Sequence, residues 1–337
     1  MSIVETCISF VSTNPFYPFC TGLLLNCVVT PLYFWKTQNG RIVVVSLLQF
    51  VVLYATAFIS IGTDKSLYRN KWVALPLSKK TRISRNTSLY CFKLKYPFER
   101  LHIPMGYHLA VRVTINGERL VRYYTPVNVP NTEGHLELVV KTYKHGVVSK
   151  YFDKLKIGQY VEFKGPLGEL EYDQDTATEL GIIAGGSGIT PVLQVLQEII
   201  PSPEDLTHIS LIYANETEDD ILMKSQLDHM AKEYPHFKVH YVIHKPNGKW
   251  NGDVGYVTLE EMKRYLPKQA EDHRLLICGP PKMNEMVLNY AKELGWSNGF
   301  HKGNGTDKVF VFNQLFTIDD FSCKYALIIF RYIFVFY

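Results

Sequence analysis

The beginning of the chain and the remainder follow different hydropathy patterns. Residues 42–61 (IVVVSLLQFVVLYATAFISI) run for twenty positions without a charge. As a helix such a run is roughly 30 Å long, about the hydrocarbon thickness of a bilayer. A helix apolar on every side is otherwise expected only deep inside a large protein. Residues 16–35 are also uncharged but carry Pro18, Asn26 and Pro31, a less regular candidate for a second span. No basic residue precedes the apolar region, where Glu5 is the only charge, unlike a secretory signal. Lys65, Arg69 and Lys71 follow the second segment against one acid, Asp64, which by the positive-inside rule places the rest of the chain in the cytosol. The intervening KTQNGR loop is basic too, so one span or two remain open.

Past Trp72 the pattern changes to short runs rich in β-branched and aromatic residues. SLYCFKLKY, HLAVRVTI, LVRYYTPV, HLELVVKTY and QYVEFKGPLG are separated by turn residues, as expected of an antiparallel barrel. From Leu180 strand-like runs alternate with helical ones. LGIIA precedes an amphipathic stretch at 192–200; ISLIYA precedes one at 221–234; VHYVIH follows; and LLICG leads into 284–294. That alternation predicts a doubly wound parallel sheet, with ligands at the carboxyl ends of its strands. The expected organisation is a membrane anchor over 1–66, a barrel over 67–174, a nucleotide domain over 175–312, and an extension of unknown role over 313–337.

Composition narrows the chemistry. The net charge of +4 comes without a long basic tract, which excludes a nucleic-acid-binding role. The six cysteines form no C-x-x-C pair, so neither a zinc ribbon nor an iron–sulfur cluster is expected. His102, His108, His135 and His145 lack metal-ligand spacing.

AGGSGITPV (184–192) sits at a predicted strand-to-helix turn, where glycines admit a ligand to the backbone and free N–H groups attract phosphate. Alone it is a weak signal, because Pro191 stands where a dinucleotide fingerprint needs its third glycine. Three stretches in order, RYYTPVN (122–128), AGGSGITP (184–191) and CGPPKM (278–283), carry more. Together with YANETEDDIL (213–222) and VFVF (309–312), they make residues 68–312 resemble the flavin-dependent ferredoxin reductases, and within them the NADH-cytochrome b5 reductases.

The resemblance implies FAD and NADH as cofactors. It implies that Arg122 binds the FAD pyrophosphate, that Tyr124 packs on the flavin and that Thr125 lies near its N5. Tyr123 departs from the smaller residue or proline usual there. Val139, Lys141 and Tyr143 match the next flavin-lining strand, with Lys141 placed either to meet the pyridine nucleotide or simply as an edge-strand charge. Gly146, Val147, Val148 and Ser149 match a diphosphate loop that has lost its usual lysine. Gly185, Gly186, Ser187 and Gly188 would flank the nicotinamide nucleotide, and Thr190 would touch the flavin. Cys278, Gly279, Pro280 and Met283 would line the nicotinamide side, although a buried strand end is the plainer role for Cys278. Thr125, Ser187 and Cys278 are thus expected around the reacting atoms.

His244 occupies a position where NADH-preferring members carry an aspartate, and Lys245 follows it. No acid would then repel a 2′-phosphate, so NADPH is a second expected donor unless the register slips by one residue. The family's partner is an acidic cytochrome b5, for which Lys79, Lys80, Arg82, Arg85, Lys93 and Lys95, with no acid among them, are a candidate docking face. The expected setting is a monomer held on a lipid bilayer, of the endoplasmic reticulum or mitochondrial outer membrane. The competing reading is a redox-inactive paralogue kept as a membrane scaffold, its tail blocking the nicotinamide site.

Overall fold

The computed structural model describes residues 51, 65–129, 131–246, 248–297 and 307–312. Apart from Val51, the expected spans at 16–35 and 42–61 lie outside the described residues, as does the extension after Phe312. Among the described residues no helix is long and apolar enough to cross a membrane.

The first sheet is antiparallel. Its strands β1 (Val73–Ser84), β2 (Thr87–Lys93), β3 (His108–Ile115), β4 (Glu118–Tyr124), β5 (His135–Lys141) and β6 (Tyr160–Leu167) lie in the order β4-β3-β6-β1-β2-β5. Asn116 and Gly117 both take positive φ (52° and 86°), the two-residue turn that matches strand twist and closes the β3–β4 hairpin. Alternation drives Leu109, Val111 and Val113 inward from β3, and Leu136, Leu138 and Val140 inward from β5. Helix α1 (Val147–Lys154) covers one end of this core. Its Phe152 ring meets Tyr90 (5.2 Å) and Phe92 (6.4 Å) edge-on and Tyr124 at 5.4 Å.

Strand β1 is the element hydropathy hid. Pro76 and the charged run Lys79–Arg82 break the apolar pattern, because the strand changes partners along its length: Val73–Pro76 pair with β6 and Leu77–Ser84 with β2. A register shift after Leu77 marks the change. Leu75 and Leu77 are buried while Lys79 and Arg82 face water.

The second sheet is parallel. It comprises β7 (Glu179–Gly185), β8 (His208–Asn215), β9 (Phe237–Ile243), β10 (Asp253–Val254), β11 (His273–Cys278) and β12 (Val309–Val311), in the order β10-β9-β8-β7-β11-β12. Helices α2 (Ile189–Ile199), α3 (Lys224–Glu233), α4 (Leu259–Tyr265) and α5 (Pro281–Glu293) connect it. The strand order reverses beside β7, which makes the gap between the carboxyl ends of β7 and β11 the switch point. Helix α5 begins at Pro281, earlier than the apolar pattern suggests, because a proline is pre-set for the first helical turn. Helix α3 begins only at Lys224, since Met223 is left-handed (φ 58°).

The two sheets share one apolar core. Met105, Val127, Val139 and Leu170 from the first half pack with Leu180, Ile182, Ile189 and Leu193 from the second. The Gln194 side chain on α2 accepts from the Gly106 N–H (2.9 Å) and donates to the Ile103 carbonyl (3.2 Å).

His108 sits on β3 with its ring edge-on to Tyr123 at 5.1 Å, and burial pushes its pKa down to about 4. Between that value and the unfolded value near ~6.5 the unfolded chain binds the extra proton, so stability falls as pH drops through this window. His108→Gln should flatten the loss, about 1–3 kcal/mol between pH 7 and 4. Urea midpoints measured across that range check it, and an unchanged pH profile in the variant would assign the acid sensitivity to other groups.

Candidate functional site at the meeting of the two sheets

Strands β4 and β5 are the two edges of the first sheet, and the residues expected to hold a flavin lie along both. Arg122 makes no ion pair among the described residues; one guanidinium N–H donates to the Val121 carbonyl at 2.7 Å. Tyr124 ends β4 with its ring tilted against Phe152, and burial raises its phenol pKa, opposed by the nearby Arg122 charge and reinforced by Tyr143. Thr125 follows, buried at 3% exposure. The chain then returns to β5 through the Val127 N–H to the Glu137 carbonyl (3.0 Å) and the Asn128 side chain to His135 and Glu137 backbone.

Past β5 the chain turns into α1. The Tyr143 N–H donates to Ser149 Oγ (3.2 Å), and a Cβ built on Gly146 would lie 2.2 Å from that oxygen, so a side chain there would have to displace the Ser149 hydroxyl from this bond. The start of α1 has no acidic residue and no side-chain cap, with Val147 exposed and Val148 buried. Its unsatisfied N–H groups form a site suited to an anion without any lysine. Arg122 and these N–H groups fit a diphosphate, and Val139, Tyr124 and Tyr143 fit a flat aromatic ring system.

The second sheet contributes its switch point. Gly185 ends β7, Gly186–Gly188 form a 3₁₀ turn with Gly186 at φ 53°, and α2 follows without a side-chain cap. A Cβ on Gly188 would stand 2.1 Å from the Cys278 carbonyl oxygen. On Gly185 it would meet Met283 Sδ at 2.7 Å and Pro280 at 2.8 Å, and on Gly279 it would meet the Met283 methyl at 2.2 Å. Thus GGSG and CGPPKM form one packed unit. Thr190 is buried, its hydroxyl donating to the Ser187 carbonyl at 3.2 Å. Cys278 is 2% exposed, and burial holds its thiol well above the usual range, so it carries no thiolate at neutral pH.

Two contacts bring β5 and the switch point together. The Tyr143 hydroxyl lies 2.9 Å from Ser187 Oγ, and the Lys141 ammonium lies 2.7 Å from the Asp220 carboxylate. Lys141 and Asp220 are 11% and 18% exposed as side chains. Burial alone would raise the Asp220 pKa, but Lys141 and the Thr217 hydroxyl outweigh it and hold the carboxyl below its ordinary value. The edge-strand lysine is therefore a paired charge at the mouth of the site. Asp220 and Tyr213, whose hydroxyl donates to the Gly186 carbonyl (2.9 Å), were not singled out by sequence reasoning. Both lie within YANETEDDIL, whose match to the family was the available signal.

His244 lies just beyond β9, its N–H bound to the Asn215 carbonyl (2.9 Å) and its ring stacked on Tyr256 at 4.4 Å. Its Nδ1 is buried without a hydrogen-bond partner. Lys245 is ion-paired with Glu216 at 2.6 Å.

An antiparallel sheet carrying a diphosphate-and-ring cradle, joined at a switch point to a parallel nucleotide sheet, defines a two-domain flavin and pyridine-nucleotide oxidoreductase. Residues 74–172 match the oxidoreductase FAD-binding domain and residues 182–289 the oxidoreductase NAD-binding domain. The chain is 41% identical to NADH-cytochrome b5 reductase 1 of Meyerozyma guilliermondii, over 82% of this chain and 99% of that protein. It is 55% identical to the plasma membrane-associated coenzyme Q6 reductase PGA3 of Saccharomyces cerevisiae, over 78% of this chain and 84% of that one. The cytochrome b5 reductase domain of Ulva prolifera nitrate reductase superposes with a TM-score of 0.68 at 32% identity, covering 74% of this chain and all of that domain. The chain belongs to the NADH-cytochrome b5 reductase family, and it is an FAD-dependent oxidoreductase with an NAD-binding domain.

Gly188→Ala tests the packing of the switch point. The Cys278 carbonyl is backbone at the last position of the β7–β11 ladder and yields less readily than a side chain, so the added methyl should cost roughly 1–3 kcal/mol, with Tm falling about 2–4 °C for each. Thermal unfolding followed by circular dichroism reads this directly; a wild-type Tm would mean the turn tolerates a side chain.

Proposed function

We propose that this chain is held on a membrane by its first 66 residues, takes hydride from NADH and delivers electrons singly to a membrane-associated acceptor. Bound FAD supplies the exchange between two-electron and one-electron chemistry. The observation that supports the assignment of site residues is the 2.9 Å contact of the Tyr143 hydroxyl with Ser187 Oγ, which joins the turn after β5 to the GGSG turn. In this reading Arg122 and the start of α1 hold the FAD diphosphate, Tyr124 and Val139 hold the ring, and Thr125 sits at its reactive edge. Gly185–Gly188, Gly279 and Pro280 receive the nicotinamide nucleotide, and the close glycine packing excludes water from the transfer. Cys278 acts as a buried wall and takes no proton. Lys141 reaches the nucleotide phosphates by exchanging its Asp220 partner.

Donor preference follows from the ion pair at Lys245. Glu216 occupies the lysine's ammonium and puts a carboxylate beside the position that a 2′-phosphate would need, which favours NADH over NADPH. Anaerobic addition of each nucleotide to the purified chain should bleach the flavin faster with NADH. Glu216→Gln should narrow the difference by about two- to fivefold, and equal bleaching rates in the unmodified chain would remove the idea. In the same spectra Arg122→Ala should lower FAD occupancy, whereas full occupancy would place the diphosphate elsewhere.

The acceptor docks on the basic edge left after internal pairing. Arg82 is paired with Asp153 (3.5 Å), Lys80 donates to the Phe152 and Asp153 carbonyls at the end of α1, and Lys95 lies over the Tyr96 ring at 4.9 Å. Lys79, Arg85 and Lys93 remain exposed and without an ion pair among the described residues. Charge reversal of these three should slow cytochrome b5 reduction about tenfold at low salt and leave ferricyanide reduction unchanged. Because a 55% identical relative is described as a coenzyme Q6 reductase, a quinone is the second candidate acceptor. A variant that loses neither activity would move the docking face away from β1 and β2. The same relative favours the plasma membrane over the endoplasmic reticulum or mitochondrial outer membrane.

A further inference from the structure

The outer face of strands β2 and β5 carries a side-chain group that flavin chemistry does not use. Cys91 on β2 lies directly across the ladder from Glu137 on β5, and His135 is two residues before Glu137 on the same face. One donor atom from each of the three lies within 4.8 Å of the others. His135 Nε2 and the Glu137 carboxylate are 3.4 Å apart. In a tetrahedral zinc site with bonds near ~2.1 Å, two N or O ligands stand about 3.4 Å from each other.

The ring of His135 is already oriented as a ligand. Its Nδ1 is 2.8 Å from the Glu133 carbonyl, so the neutral ring carries its proton there and turns the Nε2 lone pair toward Glu137 and Cys91. The backbone of both β5 residues is fixed as well. Asn128 donates to the His135 carbonyl (2.9 Å) and accepts from the Glu137 N–H (2.8 Å), while the Val127 N–H donates to the Glu137 carbonyl (3.0 Å). On the other side Ser78 donates to the Cys91 carbonyl at 2.8 Å. All three side chains are partly exposed, so an ion has a path in and a water can fill a fourth position.

We propose that Cys91, His135 and Glu137 form an exchangeable zinc site with one open coordination position. The sulfur, imidazole and single carboxylate donors match zinc, whereas calcium and magnesium favour oxygen-only sites. Burial, partly offset by Ser78 and reinforced by Glu137, raises the Cys91 pKa, so the thiol is protonated when metal-free. Binding breaks its S–H bond, forms the Zn–S bond and releases the proton to buffer. Two cations border the cluster and weaken the site: Lys79, opposite Cys91 on β1, and Lys93, opposite His135 on β2. A second cluster, His240, Asp253 and Glu261, carries no such inference, because one Glu261 oxygen accepts both the Thr258 N–H and hydroxyl in the cap of α4.

The site is independent of the acceptor and of the assignment of flavin residues. It is tested by anaerobic titration of the detergent-solubilised full chain, FAD bound, with Co²⁺ after chelator treatment. Difference spectra against the flavin background should show one thiolate-to-cobalt charge-transfer band that Zn²⁺ displaces. Cys91→Ser should abolish the band and His135→Ala should weaken binding roughly tenfold or more, while Lys79→Met should tighten it. Undiminished flavin absorbance in each variant establishes that it is folded. A band of unchanged strength in Cys91→Ser would place the thiolate elsewhere and overturn the proposal, as would no band in the unmodified chain.

Discussion

The site depends on the approach of two backbones. At the carboxyl ends of β7 and β11 the GGSG turn and the CGPP segment lie so close that a single methyl on Gly188 would collide with the Cys278 carbonyl. Met283, projecting from the first turn of α5, fills the space that side chains on Gly185 or Gly279 would take. Three glycines therefore serve packing as well as ligand approach. The uncapped start of α2 is consequently held at a fixed place against the strand ends, where a nucleotide can meet its N–H groups.

The first sheet is joined to that unit by apolar packing and by a few polar contacts at its edge. Val127 and Val139 share a core with Ile182 and Ile189, and Gln194 ties α2 to the 103–106 loop. Above this core the Tyr143–Ser187 and Lys141–Asp220 contacts cross between the halves. A mostly buried ion pair gains little net stability, because desolvation offsets its attraction. Its value here is positional: Lys141 is kept at the mouth of the site and available to an incoming anion.

Charge is distributed to match. Half of the six basic residues that look like one patch in the sequence are engaged locally, Lys80 and Arg82 at the end of α1 and Lys95 over Tyr96, leaving Lys79, Arg85 and Lys93 without an ion pair among the described residues. Strands β2 and β5 carry Cys91, His135 and Glu137 on their outer face, the two β5 residues fixed by Asn128 at the end of the RYYTPVN stretch. The end of the RYYTPVN stretch thereby also shapes a second, separate cluster.

The antiparallel-then-parallel order, the strand-to-helix glycine turn and the positions of RYYTPVN and CGPPKM were all legible in the residues, because alternation, helical spacing and glycine are local signals. Strand β1 was not, since it pairs with two different neighbours and its polar half needs no apolar pattern. Nor were the partners of Lys141 and Lys245: Asp220 and Glu216 lie 79 and 29 residues away, and nothing in a linear pattern pairs a charge with its opposite at that range. His135 and Cys91 lacked metal-ligand spacing along the chain, yet the β2–β5 register sets them side by side. What the sequence by itself determined is the kind and order of elements and the chemistry of their turns, because these follow from contacts between near neighbours. Which charges are spent on each other, and which side chains converge from different strands, only the tertiary structure decided, because both depend on register and strand order across a sheet.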